Sequence, residues 1–214
     1  VAVETKICGL TRPADAALAA EAGAAYLGVV FASGPRVVTV ATAREVVAAA
    51  AGRPVLGVFG RQPVGEIEAA ARAAGLSGAQ LHGEYSTADA VRLRDAGLVV
   101  WRVVRVRHAS DADGAARLAD AADLVLVEPR VAHADGGAGV ALASDLAVRA
   151  RVVLRGRRMG VAGGLTPETV GAAVALVSPE VVDVSSGVES QPGIKDPARI
   201  RRFLEAVVAQ HAAL

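Results

Sequence analysis

Lys6-Ile7-Cys8-Gly9-Leu10-Thr11 is a junction between a short apolar run, Val1 to Cys8, and a helix-forming stretch. Glu4 to Cys8 reads as a strand. Arg12 to Ala22 reads as a helix, with Thr11 placed to cap it, Pro13 in a first turn where a missing N–H costs little, and Gly23 to end it. Strand, glycine turn, helix, glycine is the order that decides the fold, because the chain repeats it.

Further strands are expected at Ala25–Phe31, Pro54–Phe59, Gly78–Leu81, Val99–Val104, Leu124–Val127, Met159–Ala162 and Val181–Val184. Ala25–Phe31 is a continuous apolar run, the character of a strand covered on both faces. Helices are expected between them: Thr42 to about Ala51, Val64–Ala74, Thr87–Ala96, Ala112–Ala121, Ser144–Leu154, and a stretch capped by Thr166 with Pro167 first, running to Val177. A last helix covers Pro197–Ala209. Eight strand–helix units of about 25 residues each imply a parallel sheet with helices outside. Their number predicts an α/β fold closed into a single-domain (β/α)8 TIM barrel over residues 1–214.

Composition narrows the function. Aromatic residues are only 3% of the chain, so alanine, valine and leucine must fill the core. The net charge of +1 offers no basic surface to nucleic acid and no acidic tail to a partner. The single cysteine rules out an internal disulfide and a multi-cysteine zinc site, and fits a reduced, cytoplasmic setting. No run is long and uninterrupted enough to span a bilayer, and no signal peptide is read at the N-terminus. The four histidines, 82, 108, 133 and 211, include no pair at helical ligand spacing, so no metal is expected. Arginine greatly outnumbers lysine, which survives only as Lys6 and Lys195.

Barrel enzymes place their chemistry at the C-terminal ends of the strands. There this sequence sets Cys8, the Ser33–Arg36 loop, His82, Arg105, Glu128, Gly163-Gly164, and Asp183 with Ser185-Ser186-Gly187. The turns Gly163-Gly164 and Ser185-Ser186-Gly187 follow the last two strands, where barrels build a phosphate site from backbone N–H groups. As punctuation alone, the same glycines need no ligand. Cys8 is either a small buried hydrophobe or a base; Lys6 shares its strand face, and a nearby cation favours a thiolate. Glu128 is either a loop carboxylate or a general acid. Asp183, between valines, points into the barrel mouth, and an inward carboxylate without a task is costly. His82 serves either a structural hydrogen bond or a substrate.

Taken in order, Lys6–Thr11, Leu27–Phe31 with Gly34-Pro35-Arg36, Gly57-Val58-Phe59, Gln80–Gly83, Ala162–Glu168 and Val182–Glu189 with Pro192–Asp196 resemble the phosphoribosylanthranilate isomerase family nearly end to end. The resemblance implies an Amadori rearrangement of a phosphorylated aminosugar without metal or organic cofactor. Cys8 then falls on the base, Arg36 on the residue that binds the substrate carboxylate, and Asp183 on the one that orients a sugar hydroxyl. Gly163, Gly164, Ser185, Ser186 and Gly187 fall on the phosphate loops, and His82 is grouped with the substrate-binding residues.

The sequence departs from the family at the sixth strand. Glu128 stands where an aspartate acid is usual, Ala138 replaces a hydroxyl residue within Gly136–Gly139, and Leu142-Ala143-Ser144 opens the next helix differently. The expectation is an isomerase with Glu128 as acid. The alternatives are a paralogue acting on another phosphorylated aminosugar and a non-catalytic phosphosugar-binding protein. Partners are limited to the small phosphorylated substrate, and a monomer or homodimer fits equally.

Overall fold

A computed structural model describes residues 2–130 and 140–212, and for 211 and 212 the backbone alone. The expected loop at Gly136–Gly139, with Ala138, and His133 lie outside the described residues. Eight parallel strands close into a barrel. They are β1 (Glu4–Ile7), β2 (Tyr26–Val30), β3 (Val55–Phe59), β4 (Gly78–Leu81), β5 (Val99–Val106), β6 (Leu124–Pro129), β7 (Met159–Ala162) and β8 (Val181–Val184). Closure is made by β1 on β8, with Lys6 in register with Asp183 and Ile7 with Val184.

Side-chain alternation splits the strands into two cores. The inner faces bring together Leu56, Trp101, Leu124, Leu126, Ala162 and Val181, with Tyr26 edge-on to Trp101 at 5.0 Å. The outer faces, such as Ile7, Leu27, Val29, Val125 and Val161, meet the helices. Those helices are α1 (Pro13–Glu21), α2 (Val40–Ala49), α3 (Val64–Ala74), α4 (Thr87–Asp95), α5 (Ala109–Asp113), α6 (Ala115–Ala119), α7 (Ser144–Val153), α8 (Val170–Val177) and α9 (Pro197–Ala212). Much of their inward surface is alanine, including Ala16, Ala19, Ala43, Ala71, Ala90 and Ala147.

Several expected boundaries move, each for a local reason. Thr11 does not cap α1; Arg12 is its N-cap, and the Thr11 hydroxyl donates to the Gly193 carbonyl at 2.5 Å. Thr42 lies inside α2, because the Thr39 hydroxyl accepts the Thr42 N–H at 3.1 Å and starts the helix earlier. Thr166 caps only a turn: its carbonyl accepts from Thr169 and Val170, so Pro167 precedes the helix and α8 begins at Val170. The expected Ala112–Ala121 helix is two short ones meeting at Gly114. Strand β6 runs on through Glu128, and β5 to Val106, held by the register Arg105 with Glu128. After β8 comes an unexpected short 3₁₀ turn, Ser186–Val188, then a hairpin of β9 (Glu189–Gln191) and β10 (Ile194–Lys195). Among the described residues, no helix is long and apolar enough to cross a membrane.

Candidate active site

The inner-face positions at the C-terminal ends of the strands form one ionisable cluster. At its centre is Lys6, fully buried, with Nζ 2.9 Å from Oδ2 of Asp183 and 5.7 Å from the centre of the Trp101 ring. Gly28 makes this possible: a Cβ there would lie 2.9 Å from Sγ of Cys8 and 3.1 Å from Nζ of Lys6. The two side chains therefore fill the space that the glycine leaves. Cys8 sits just past β1, its N–H donating to Val184 at 2.8 Å.

The electrostatics follow from burial. Burial pushes the Cys8 thiol up, and Lys6 pulls it down without cancelling the rise. Burial likewise pushes the Asp183 carboxyl up, opposed by Lys6, while the charge of Glu128 adds to the rise. Burial alone would lower Lys6, but Asp183 and Cys8 outweigh it and hold its pKa above the ordinary value. The 2.9 Å contact between Lys6 and Asp183 is that of a charged pair. Asp183 Oδ1 is buried and has no hydrogen-bond partner, so the carboxylate keeps a free acceptor.

Glu128 and His82 meet across the barrel mouth, with Oε1 of the glutamate 2.6 Å from Nε2 of the histidine. The contact has ion-pair distance without hydrogen-bond alignment, and Nδ1 of His82 has no partner. His82 is fixed by its backbone N–H, which donates to Phe59 at 2.8 Å. Glu128 thus belongs to a strand and is buried, and the loop-carboxylate reading does not hold.

Arg36 lies beside this cluster, on the loop after β2. Its Nε and Nη2 donate to Oε1 and Oε2 of Glu189 at 2.8 and 2.7 Å. Nζ of Lys195 donates to the same Glu189 Oε1 at 2.8 Å and to the Ser185 carbonyl at 3.1 Å. Gly9 lies under both partners: at φ +72°, its Cβ would be 2.5 Å from Cδ of Arg36 and 2.7 Å from Oγ of Ser185.

The turns after β7 and β8 touch each other. A Cβ on Gly187 would lie 1.9 Å from the Leu165 carbonyl oxygen. Gly163 and Gly164 both have positive φ, and they admit Pro129 and Ala141 from the β6 loop at distances a side chain would block. A cavity of ≈ 370 Å³ opens between these turns, lined by Gly164, Thr166, Ser186 and Gly187, by the carboxylate Glu168 and by the cations Arg199 and Arg202 of α9. The expected residues therefore fall into two neighbouring groups. Cys8, His82, Glu128 and Asp183 gather in the mouth; Gly163, Gly164, Ser186 and Gly187 gather at the turns, and Ser185 accepts from Lys195, which shares Glu189 with Arg36. Reading the sequence missed Glu189, Arg199 and Arg202. It placed Lys6 beside Cys8 as a cation that favours the thiolate but flagged Lys195 only as one of two lysines in an arginine-rich chain, and both are buried at this site.

Fold and cluster define the class: a (β/α)8-barrel enzyme with its ionisable groups at the C-terminal ends of the strands. Residues 5–206 match the family described as N-(5'phosphoribosyl)anthranilate (PRA) isomerase. An N-(5'-phosphoribosyl)anthranilate isomerase of Paracoccus denitrificans is 38% identical, over 98% of this chain and 99% of its own length. The phosphoribosyl anthranilate isomerase of Thermotoga maritima superposes with a TM-score of 0.88 at 30% identity, covering 97% of this chain and 99% of that one. A further solved isomerase, in complex with reduced 1-(o-carboxyphenylamino)-1-deoxyribulose 5-phosphate, superposes with a TM-score of 0.85 at 29% identity, over 97% and 99% of the two chains. The chain belongs to the N-(5'-phosphoribosyl)anthranilate isomerase family, the aldose–ketose isomerases of tryptophan biosynthesis.

Proposed function

We propose that this chain converts N-(5-phosphoribosyl)anthranilate to 1-(2-carboxyphenylamino)-1-deoxyribulose 5-phosphate, with Glu128 as general acid and Cys8 as general base. Glu128 gives its proton to the ring oxygen, the C1–O bond breaks, and the anthranilate nitrogen forms a Schiff base with C1. Cys8, as thiolate, takes the C2 proton, and the electron pair flows to the nitrogen to leave an enolamine. The enolamine then gains a proton at C1 and loses one from the C2 hydroxyl, giving the ketone. No group leaves the substrate and no outside oxidant or reductant is needed, and the two side chains account for the first two proton transfers.

The observation that carries this reading is the buried Cys8–Lys6–Asp183 cluster facing Glu128. It supplies a thiol beside a cation, a carboxylate with an unused acceptor atom, and an acid close enough to Asp183 for their charges to interact. The free Oδ1 of Asp183 suits a sugar hydroxyl, and His82 suits the task of holding Glu128 toward the ring. The turns bearing Gly163, Gly164, Ser185, Ser186 and Gly187 suit the phosphate, with Arg199 and Arg202 adding positive charge to their cavity that Glu168, also in its lining, offsets in part. Arg36 suits the anthranilate carboxylate. The expected setting is the cytoplasm.

Turnover of N-(5-phosphoribosyl)anthranilate tests the roles. Cys8→Ala and Glu128→Gln should each lose about 10²- to 10⁴-fold in kcat, the usual contribution of a positioned acid or base. Undiminished kcat in either variant removes that residue from its role.

A further inference from the structure

Arg36 already holds a carboxylate. Both prongs of its fork go to Glu189, in a contact whose side chains are 12% and 4% exposed. A neutral arginine–carboxylate pair is a poor receptor for a second carboxylate, because the incoming anion gains the attraction of one charge and the repulsion of the other. Lys195 changes that balance. Its side chain is wholly buried, and its ammonium rests on the same Glu189 oxygen that accepts from Nε of Arg36. Arg36, Glu189 and Lys195 together carry a net +1. The pair holds Arg36 by its Nε and Nη2 edge, so an incoming carboxylate meets the Nη1 edge. The same ammonium donates to the Ser185 carbonyl, at the start of the turn after β8. The backbone of the hairpin is fixed separately: Lys195 N–H donates to Asp15 at 3.1 Å, and Gly193 accepts from Thr11.

We propose that Lys195 is a positioning and specificity residue of the isomerase site. It neutralises Glu189, so that Arg36 is held rigid by one carboxylate and still attracts another, the aromatic carboxylate of the substrate. It also ties this recognition to the phosphate turn through Ser185. The inference rests on the assignment of Arg36 to the substrate carboxylate. It assigns Lys195 no contact with the reacting atoms.

The test compares competitive inhibition by 2-aminobenzoate with that by 2-aminobenzamide, which lacks the charge, in the full chain. Lys195→Met should cut the preference for the anion by about tenfold, a factor worth ~1.4 kcal/mol, while kcat stays within about threefold. Lys195→Arg, which keeps the charge, should keep the preference. Arg36→Ala is the control for the underlying assignment: if it leaves the preference intact, Arg36 does not bind the carboxylate. If Arg36→Ala abolishes the preference and Lys195→Met does not, the Arg36 assignment stands and the role given to Lys195 falls. A Lys195→Met chain that does not fold leaves the Glu189→Gln/Lys195→Met double variant, which restores the net +1. Retention of the preference within about threefold in that variant supports the charge balance, and its loss overturns it.

Discussion

Lys6 is the residue on which the mouth of the barrel depends. A fully buried ammonium is costly unless its partners outweigh the loss of water, and here Asp183 and Cys8 do. The consequence for Cys8 is directional. As the proposed base, Cys8 acts as the thiolate, and burial favours the thiol, so kcat/KM should climb with pH on a limb above the ordinary thiol value of about 8.5. Lys6 is the principal group pulling that limb down. Lys6→Met should therefore move it to still higher pH and lower the rate at neutral pH; a pH–rate profile with an unmoved limb refutes the pairing. Gly28 tests the same geometry by volume. Its Cβ would press on Cys8 and on the flexible end of Lys6, so Gly28→Ala should fold but displace the thiol. A shift on the order of 1 Å costs about 10²-fold in rate. Steady-state kinetics should show that loss in kcat with KM little changed. Cys8, Glu128 and Asp183 could be picked out from position alone, since Cys8 and Glu128 end apolar runs and Asp183 interrupts one. Glu189 could not, because its importance lies in Arg36, far away in sequence.

At the level of elements, the turns after β7 and β8 behave as one unit. Gly187 packs against the Leu165 carbonyl so closely that any side chain must part them. Gly187→Ala should open the cavity and weaken inhibition by inorganic phosphate at least about tenfold, with kcat at saturating substrate much less affected; unchanged phosphate inhibition argues that the anion binds elsewhere. The limits of α3, β4, β7 and β8 match those read from the sequence. Three of the misplaced boundaries turned on threonines, at Thr11, Thr42 and Thr166. A threonine can serve as cap, turn or long-range donor, and its sequence neighbours do not say which. The β9–β10 hairpin has no periodic apolar signal; contacts from Thr11 and Asp15, near the other end of the chain, hold it.

For the whole molecule, stability should fail on the acid side. Glu189 is driven upward by burial, but Arg36 and Lys195 outweigh that and hold it below the ordinary range. Glu180 is held down in the same way, against burial, by Arg151 and the Met159 N–H. Asp111 is held down by the backbone N–H groups of Arg107 and His108. A carboxyl with a depressed folded pKa stabilises the fold above its unfolded pKa, and that contribution is lost as pH falls through the folded value. Urea midpoints should therefore drop between about pH 4 and pH 2. A midpoint flat across that range contradicts these ion pairs. The buried Asp183 works in the opposite sense, since burial raises it, and acid relieves rather than adds to its cost.

The sequence by itself determined the barrel and which residues stand at the ends of its strands. Eight apolar runs alternating with helices have one economical closed arrangement, and strand ends are readable from where apolar runs stop. It also determined the family, because short motifs in a fixed order along nearly the whole chain outweigh any one of them. Only the tertiary structure decided which charges meet. Lys6 faces Asp183 because β1 and β8 close the barrel, Glu128 faces His82 across its mouth, and Arg36 meets Glu189 and Lys195 through the hairpin. These partners lie far apart along the chain. Pairwise electrostatics depends on distance and burial in three dimensions, and neither quantity is written in a residue's neighbours.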